Sequence, residues 1–291
     1  MKKTMLGFAA ATLVVMFWSG FNVVSRLGGR SVLTPFDLAA LRFGVSGILL
    51  APFLLRLRFH APPLKLLILS LVGGLSYSLL VYGGFALAPA AHAGVLVNGG
   101  IPFATAIVAW AAMGYRPGRR ALLSLAIAGA GIGLIGYQGI RHGAPATGPQ
   151  WLGDLFFLAA ATCFAIFGLL ARKWQVRPIE TIVAIAIVCM VLYLPVYLLF
   201  LPKAIGSAPW SSLLLQGFYQ GVIAASVAAL CYTYANLTIG PMKASLMLAL
   251  VPGISAVLAV PVLNEELGML TALGVVLVTV GAVLGTTSRG A

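Results

Sequence analysis

Long apolar runs recur along the whole sequence at intervals close to the length of a membrane-spanning helix. A helix needs about 20 mostly apolar residues to cross the ~30 Å hydrocarbon core of a bilayer. Helix is the expected conformation because an open strand leaves backbone hydrogen-bonding groups unpaired in lipid. The sequence therefore predicts an all-α membrane protein with ten transmembrane helices, at residues 5–24, 36–57, 64–87, 93–113, 121–140, 151–171, 179–201, 211–236, 243–263 and 267–286.

Composition supports the membrane class and limits the partners. Of the 291 residues, 61% are hydrophobic and 8% are charged, whereas a soluble domain carries about 25% charged residues. The net charge of +13 does not indicate a nucleic-acid partner, because the chain has no soluble basic face to bind one. Cys163, Cys189 and Cys231 lie singly in apolar runs, so we expect no metal and no cofactor. The expected partners are the lipid bilayer and a small-molecule substrate.

The basic residues predict the orientation of the chain. Cytoplasmic connections of membrane proteins are enriched in Lys and Arg. With the N-terminus inside, most basic residues fall on the cytoplasmic side, and Arg26, Arg30, Arg141 and Lys203 fall on the other. We therefore expect both termini in the cytoplasm of a bacterial-type cell, with the chain in the inner membrane.

The first apolar run is predicted to be a retained helix. Lys2 and Lys3 followed by apolar residues are also typical of a signal peptide. However, the run continues through Trp18 and Phe21 without a small-residue cleavage site at its end. We expect this segment to be the first transmembrane helix.

The two halves of the chain are similar in sequence. Three pairs of segments match in order: 34–37 with 177–180, 82–89 with 234–241, and 93–102 with 244–252. We predict two repeats, residues 1–140 and 151–291, with five helices each. An odd number of helices requires the second repeat to insert upside down, as in many secondary transporters. The alternative is coincidental similarity between helices rich in Leu, Ala and Gly.

Three motifs resemble the EamA branch of the drug/metabolite transporter superfamily. They are residues 17–22 (FWSGFN), the Pro35 to Arg42 segment, and the run from Ala244 to Glu266. The resemblance covers essentially the whole chain, and it is greatest to a YddG-type aromatic amino acid exporter. It implies ten helices in two EamA-type repeats and export of small metabolites, by a monomer or a weak homodimer. The second half departs from the first because Arg42 has no counterpart there; its aligned place is near Ile185.

Polar and aromatic residues within the apolar runs are the candidates for substrate binding. Ring stacking suits an aromatic solute, and an amide suits an amino acid head group. The alternatives are helix packing for mid-membrane rings and anchoring at the interface for outer tyrosines. The predicted substrate-binding residues are Trp18, Asn22, Arg42, Tyr77, Tyr82, Asn98, Phe164, Tyr232 and Met247.

Arg42 is the one basic residue that falls inside a predicted span. Burying it unpaired costs at least ~2.5 kcal/mol, so a partner or a function is expected. One interpretation is a contact for a substrate carboxylate. The other is a structural ion pair with Asp37, about one helical turn away.

Helix-breaking residues interrupt the fourth and ninth spans at corresponding places. Proline removes a backbone hydrogen bond, and glycine lets a helix bend. Paired interruptions of this kind point to a transport site, although a simple kink is the alternative. The predicted helix-break or gating residues are Gly99, Gly100, Pro102, Pro252 and Gly253.

Two further glycine patterns favour packing. Residues 131–136 spell GxGxxG, but they lie inside an apolar helix without the strand and acidic residue of a dinucleotide site. Gly129 with Gly133, and Gly281 with Gly285, are instead predicted to be close helix-packing faces.

The sequence favours a carrier over the other function classes. No nucleophile–base pair or metal cluster supports an intramembrane enzyme, and no ring of charge supports a channel. A structural membrane subunit is a weaker alternative. We predict export of aromatic amino acids by alternating access through a cavity lined by helices one, three, four, six, eight and nine. The alternative is export of other amino acids, metabolites or drugs.

The sequence also bears on whether transport is coupled to the movement of protons. No Asp, Glu or His lies at the middle of a predicted span, and proton-coupled carriers usually keep such a group. We therefore expect facilitated transport, with proton coupling through Asp37 or another flanking acid as the alternative.

Overall fold

A computed structural model describes residues 2–114, 118–141, 149–239, 244 and 247–287. These residues form helices joined by short connections and contain no strand. We number the helical segments in chain order: α1 Lys2–Gly29, α2 Pro35–Arg56, α3 Pro63–Leu87, α4 90–113, α5 Arg119–Arg141, α6 Gln150–Lys173, α7 Pro178–Phe200, α8 Trp210–Ile239, α9 Val251–Leu263 and α10 Met269–Thr287.

Three of these segments contain a π-helical stretch. The stretches are Ser70–Ser76 in α3, Gly94–Gly99 in α4 and Gly217–Val227 in α8. A π-helical stretch opens the regular hydrogen-bond ladder and is frequent at functional sites. Two of the three, in α3 and α8, occupy corresponding positions in the two halves.

Seven segments are long and apolar enough to cross a membrane by length and composition: α1, α2, α3, α4, α6, α7 and α8. Shorter apolar helices occur at Val251–Leu263 and Met269–Leu284. The chain is therefore a multi-helix membrane protein in the part that the structure describes. The count of ten spans and the cytoplasmic position of both termini stay predictions.

Helix packing follows a two-fold pattern. In the first half α1 packs against α8 and α9, and in the second half α6 packs against α3 and α4. The remaining pairs, α2 with α7 and α5 with α10, join equivalent helices. Exchanging each helix with the one five places later therefore leaves these contacts unchanged. An inverted repeat produces this arrangement, while the repeat boundaries themselves stay predictions.

The matching acidic residues of the two halves have equivalent contacts. Asp37 completes a capping box with Thr34 at the start of α2, and it also accepts a hydrogen bond from the Ala204 amide at 3.1 Å. Glu180, in the first turn of α7, accepts hydrogen bonds from the amides of His60 and Ala61, both at 3.2 Å. Each acid therefore holds the connection that follows the partner helix.

These contacts argue against the interpretation of Arg42 as the partner of Asp37 in a structural ion pair. The carboxylate of Asp37 accepts hydrogen bonds from Thr34, Tyr197 and Ala204. Among the described residues, no ion pair joins Asp37 to Arg42. Asp37 points toward the α7–α8 connection instead of along its own helix.

Glycines let α5 and α10 approach each other closely. However, one of the glycines that the sequence predicted for such a contact does not take part in it. A Cβ at Gly131 would lie 2.7 Å from the Gly274 carbonyl oxygen, and one at Gly281 would lie 2.8 Å from backbone atoms of Ser124 and Ala128. A Cβ at Gly133 would meet no atom within 4 Å. The predicted face at Gly133 is therefore wrong, because that residue lies on the other side of the helix.

We expect Gly131→Val to lower the thermal stability of the purified protein. The new Cβ meets backbone of α10, so the two helices must separate, at a cost of about 1–3 kcal/mol. Gly133→Val is the matched control, since it adds the same side chain to the same helix in open space. Equal melting temperatures for the two variants in detergent would contradict the packing argument.

Candidate functional site

A central cavity of about 530 Å³ lies between the two halves. The lining residues come from α1, α2, α3, α4, α6, α7 and α8. At one end the cavity extends to the α6–α7 connection, where it is lined by Val176 and the exposed Pro178. We call this end, where α2 also joins α3, the open end.

The helices that line the cavity differ in part from the prediction. Helices α2 and α7 line the cavity, although neither was among the six helices predicted to do so; of their lining residues, only Arg42 was a predicted site residue. None of the described residues of α9 lines the cavity. Helix α9 instead packs against α1 and α4, where a Cβ at Gly94 would lie 3.2 Å from the Pro252 Cα atom.

Two aromatic pairs form much of the cavity wall. The rings of Trp18 and Tyr232 have centroids 5.4 Å apart, and so do the rings of Tyr77 and Phe164. Phe167 extends the second pair at 5.5 Å from Phe164. The first pair joins α1 to α8 and the second joins α3 to α6, so the pairs follow the two-fold pattern of the fold. The rings of both pairs are tilted against each other, and the aromatic side chains offer apolar ring surface to a further aromatic ring.

Arg42 supplies positive charge at the cavity. Its guanidinium lies 5.6 Å from the centroid of the Phe21 ring and close to the hydroxyl groups of Tyr77 and Tyr82. Among the described residues Arg42 forms no ion pair, and the lining set contains no Asp or Glu. A cation of this kind, flanked by rings and without a counter-ion, is arranged to attract an anionic group.

The predicted amides occupy different positions in the site. Asn98, in the π-helical stretch of α4, lines the cavity. Asn22 also lines it but is almost fully buried, and its Nδ2 donates to the Ser255 hydroxyl at 2.8 Å. Asn22 therefore joins α1 to α9, while Asn98 is the amide that is more accessible to a ligand.

Two predicted residues lie outside the cavity lining. Tyr82 is fully buried, and its hydroxyl donates to Gln220 Oε1 at 3.0 Å. Met247 packs against a separate cluster around Ala10 and Ala235. Tyr82 follows Tyr77 by five residues, and its side chain is bonded within the core instead of lining the cavity. Binding roles for all the predicted site residues stay predictions.

Three lining aromatics were missed by the sequence reasoning. Phe43 has no signal in the spacing of the chosen aromatics, whereas the other two have one. Phe21 follows Trp18 by three residues, and Phe167 follows Phe164 by three. Residues three apart lie on the same face of a helix. Helical periodicity from the two chosen aromatics was therefore the signal that could have found Phe21 and Phe167.

The predicted break residues occur where the helices are irregular. The π-helical stretch of α4 ends at Gly99, and α9 begins at Val251 with Pro252 in its first turn. A Cβ at Gly99 would lie 2.1 Å from Val278 Cγ1, and one at Gly100 would lie 3.3 Å from Ala161 Cβ. These glycines allow close contact with α10 and α6. Gly253 is partly exposed and Pro102 is exposed, and both lie within regular α-helical segments next to these interruptions. A gating role for the five residues stays a prediction.

The opposite end of the bundle is closed by a charged network. This sealed end comprises the α1–α2, α3–α4 and α9–α10 connections. Glu265 Oε1 lies 3.1 Å from both Arg26 Nε and Arg30 Nη2, and Glu265 Oε2 accepts from the Ala90 amide at 3.0 Å. Arg26 also donates to the Phe85 carbonyl at 2.6 Å. One carboxylate therefore joins three connections.

A second layer lies between this network and the cavity. The Gln220 side chain accepts from Tyr82 and donates to the Ser25 hydroxyl at 2.9 Å and to Gln216 Oε1 at 3.1 Å. Gln216 in turn donates to the Val24 carbonyl at 2.8 Å. All four side chains, of Ser25, Tyr82, Gln216 and Gln220, are buried. The cavity is therefore separated from the sealed end by two hydrogen-bonded layers.

Comparisons with known proteins agree with this architecture. A family model described as the EamA-like transporter family matches the chain twice, at residues 5–137 and 151–287. A protein of known crystal structure has 22% sequence identity and a TM-score of 0.60, with 97% of this chain and 96% of that chain covered. At this identity the likeness concerns the fold. No curated protein matches the chain at a significant level.

Proposed function

This chain belongs to the EamA-like transporter family, and we propose that it exports small metabolites, above all aromatic amino acids, by alternating access through the central cavity. The observation that carries the proposal is the combination, in one cavity, of two aromatic pairs with an arginine that forms no ion pair with any described residue. We place the protein in the inner membrane of a bacterial-type cell, as a monomer or a weak homodimer.

The cavity fits an aromatic amino acid in size and in chemistry. Its volume of about 530 Å³ lies within the ~300–1,000 Å³ range of small-molecule pockets. A substrate carboxylate would contact Arg42, and its ring would lie against the Trp18–Tyr232 and Tyr77–Phe164 pairs. Asn98 would supply an amide to the head group.

Alternating access is supported by the difference between the two ends. The cavity reaches the surface at the open end, while Glu265 and Gln220 close the sealed end. In an inverted repeat, exchanging the conformations of the two halves exchanges the open and the closed side. Opening the sealed end while closing the α6–α7 side would then release the substrate on the opposite face.

The charge of the cavity favours a second candidate substrate class. Because the described lining contains Arg42 and no acidic residue, a substrate ammonium group would have ring faces, amide oxygens and the hydroxyl groups of Ser46, Thr181 and Thr233 as partners, but no carboxylate. Aromatic carboxylic acids without an amino group avoid this cost. Export of aromatic carboxylates is therefore the alternative function that the same cavity supports.

Uptake into proteoliposomes tests both candidates. The purified protein is reconstituted without a pH gradient, and entry of radiolabelled phenylalanine is measured with and without competitors. Entry of radiolabelled phenylacetate is measured in a parallel assay. Saturable uptake that is competed by tryptophan and tyrosine supports the amino acid proposal. Stronger competition by phenylacetate than by tryptophan supports the carboxylate alternative. Absence of uptake of either compound by folded protein would contradict the aromatic assignment.

We expect Trp18→Ala to lower phenylalanine uptake by about two- to tenfold. The variant removes one ring of a pair, and such pairs contribute about 0.5–1.5 kcal/mol beyond their buried area. Trp110→Ala is the matched control, because Trp110 is 60% exposed and does not line the cavity. Membrane insertion of both variants is checked by their yield. If Trp18→Ala loses yield instead of transport, Trp18 serves packing.

A further inference from the structure

A buried acid–base pair lies at the sealed end, outside the central cavity. His92 Nδ1 and Asp154 Oδ1 are 2.8 Å apart and join the first turn of α4 to α6. The residues are 2% and 4% exposed. The other carboxylate oxygen, Asp154 Oδ2, is buried and has no hydrogen-bond partner in the part of the chain that the structure describes.

Without an added proton, burial of this pair in the protein interior is energetically unfavourable. A neutral imidazole beside an ionised carboxylate leaves one buried negative charge with a single hydrogen bond. Burial of an incompletely paired charge costs several kcal/mol. One proton, held on either group, makes the pair neutral overall and removes most of this cost.

His92, but not Asp154, borders a pocket large enough for water at the sealed end. His92 lines a second pocket of about 290 Å³, together with Arg30, Glu265 and Glu266. This pocket is separate from the central cavity, and the two share none of their lining residues. A proton therefore has a route to His92 that does not pass through the substrate pathway.

Among the described residues, the other charges around His92 balance one another. Helix α1 contributes Arg26, the α1–α2 connection contributes Arg30, and the α9–α10 connection contributes Glu265 and Glu266. The segments of α3, α9 and α10 packed against the first turn of α4 add no further charged group. The net charge of this region therefore depends on whether the His92–Asp154 pair holds its proton.

We infer that the His92–Asp154 pair is a proton-binding site whose occupancy stabilises the conformation with the sealed end closed. In that conformation the pair is buried and needs the proton, whereas water would solvate the ionised pair once this end opens. The closed conformation therefore binds the proton more tightly. By linkage, acid on this side favours closure and alkali favours opening, by up to about tenfold per pH unit for one proton. The inference rests on the alternating access of the proposed function, but not on the substrate.

Distances across the sealed end test the inference without any substrate. Spin labels are placed at Val32 and Met269, which are 55% and 79% exposed at this end, after Cys163, Cys189 and Cys231 are replaced by alanine. Distance distributions are measured in nanodiscs between about pH 8 and about pH 5.5, the range in which histidine titrates. We expect the short-distance population to grow as the pH falls.

Substitutions that remove a charge but keep the shape of the side chain show whether the pH dependence comes from the His92–Asp154 pair or from a neighbouring acid. Asp154→Asn removes the negative charge, so the closed population should be high and nearly independent of pH. Glu266→Gln removes an exposed acid of the same pocket and should keep the pH dependence of the parent protein. A parent protein without pH dependence, or an Asp154→Asn variant that keeps it, would overturn the inference.

A second measurement covers the case in which Asp154→Asn does not fold. The chain has only three histidines, so ¹⁵N-histidine labelling of the parent protein gives few imidazole signals, and His60→Gln and His92→Gln assign them. The signal of His92 should change with pH together with the distance distribution. A His92 signal that does not change over this range would also overturn the inference. Failure of phenylalanine uptake would leave both results unaffected, so the two proposals fail separately.

Discussion

Replacement of Arg42 by methionine is expected to lower phenylalanine uptake by about ten- to a hundredfold. A hydrogen bond to a charged group contributes about 1.5–3 kcal/mol, and every 1.4 kcal/mol corresponds to a factor of about ten in affinity. Methionine keeps the length and the apolar stem of the side chain, so the loss is mainly that of charge. Initial rates of uptake over a range of concentrations should show the effect mainly as a raised KM.

Two further variants separate a substrate contact from a general effect of charge. Arg56→Gln removes a positive charge from the exposed end of the same helix and should leave uptake unchanged. Arg42→Lys keeps the charge but loses the planar guanidinium, so it should retain part of the activity. If Arg42→Met transports phenylalanine as well as the parent does, Arg42 has no role in binding and the carboxylate contact is wrong.

The second large effect is expected for Glu265→Gln, which should open the sealed end. Removing one partner of a buried ion pair costs about 3–5 kcal/mol because the remaining charge is left unpaired. In this protein the substitution removes the counter-charge from Arg26, whose side chain is 10% exposed, and weakens the hold on the Ala90 amide. The long-distance population of the Val32–Met269 label pair should rise by about a hundredfold or more relative to the closed one.

Glu266→Gln is the matched control for this effect. Glu266 is the next residue in the chain and is exposed, whereas Glu265 is buried. The control variant should give the distance distribution of the parent protein. Unchanged distances in Glu265→Gln, with the protein still folded, would show that the seal depends on the Gln220 layer and not on the ion pair.

The sequence determined the helical class of this protein and the places of most helices. An apolar run predicted at 179–201 is the helix Pro178–Phe200, and one predicted at 36–57 is Pro35–Arg56. Proline marks both starts, because its fixed φ and missing amide suit the first turn of a helix. Asp37, Asp154 and Glu265 all lie at the sealed end in the structure. Apolar periodicity and turn chemistry are local properties, so they can be read from one chain.

The tertiary structure decided which polar residues meet. Asn22 and Ser255 are 233 residues apart, and Arg26 and Glu265 are 239 apart, yet each pair is in hydrogen-bond contact. Tyr77 and Tyr82 were both predicted to bind substrate, but Tyr77 lines the cavity and Tyr82 is bonded to Gln220. In an almost uniformly apolar helix the pattern of hydrophobic residues does not show which face meets lipid and which meets a neighbour. That choice depends on the rotation of each helix against its partners, and only packing fixes it.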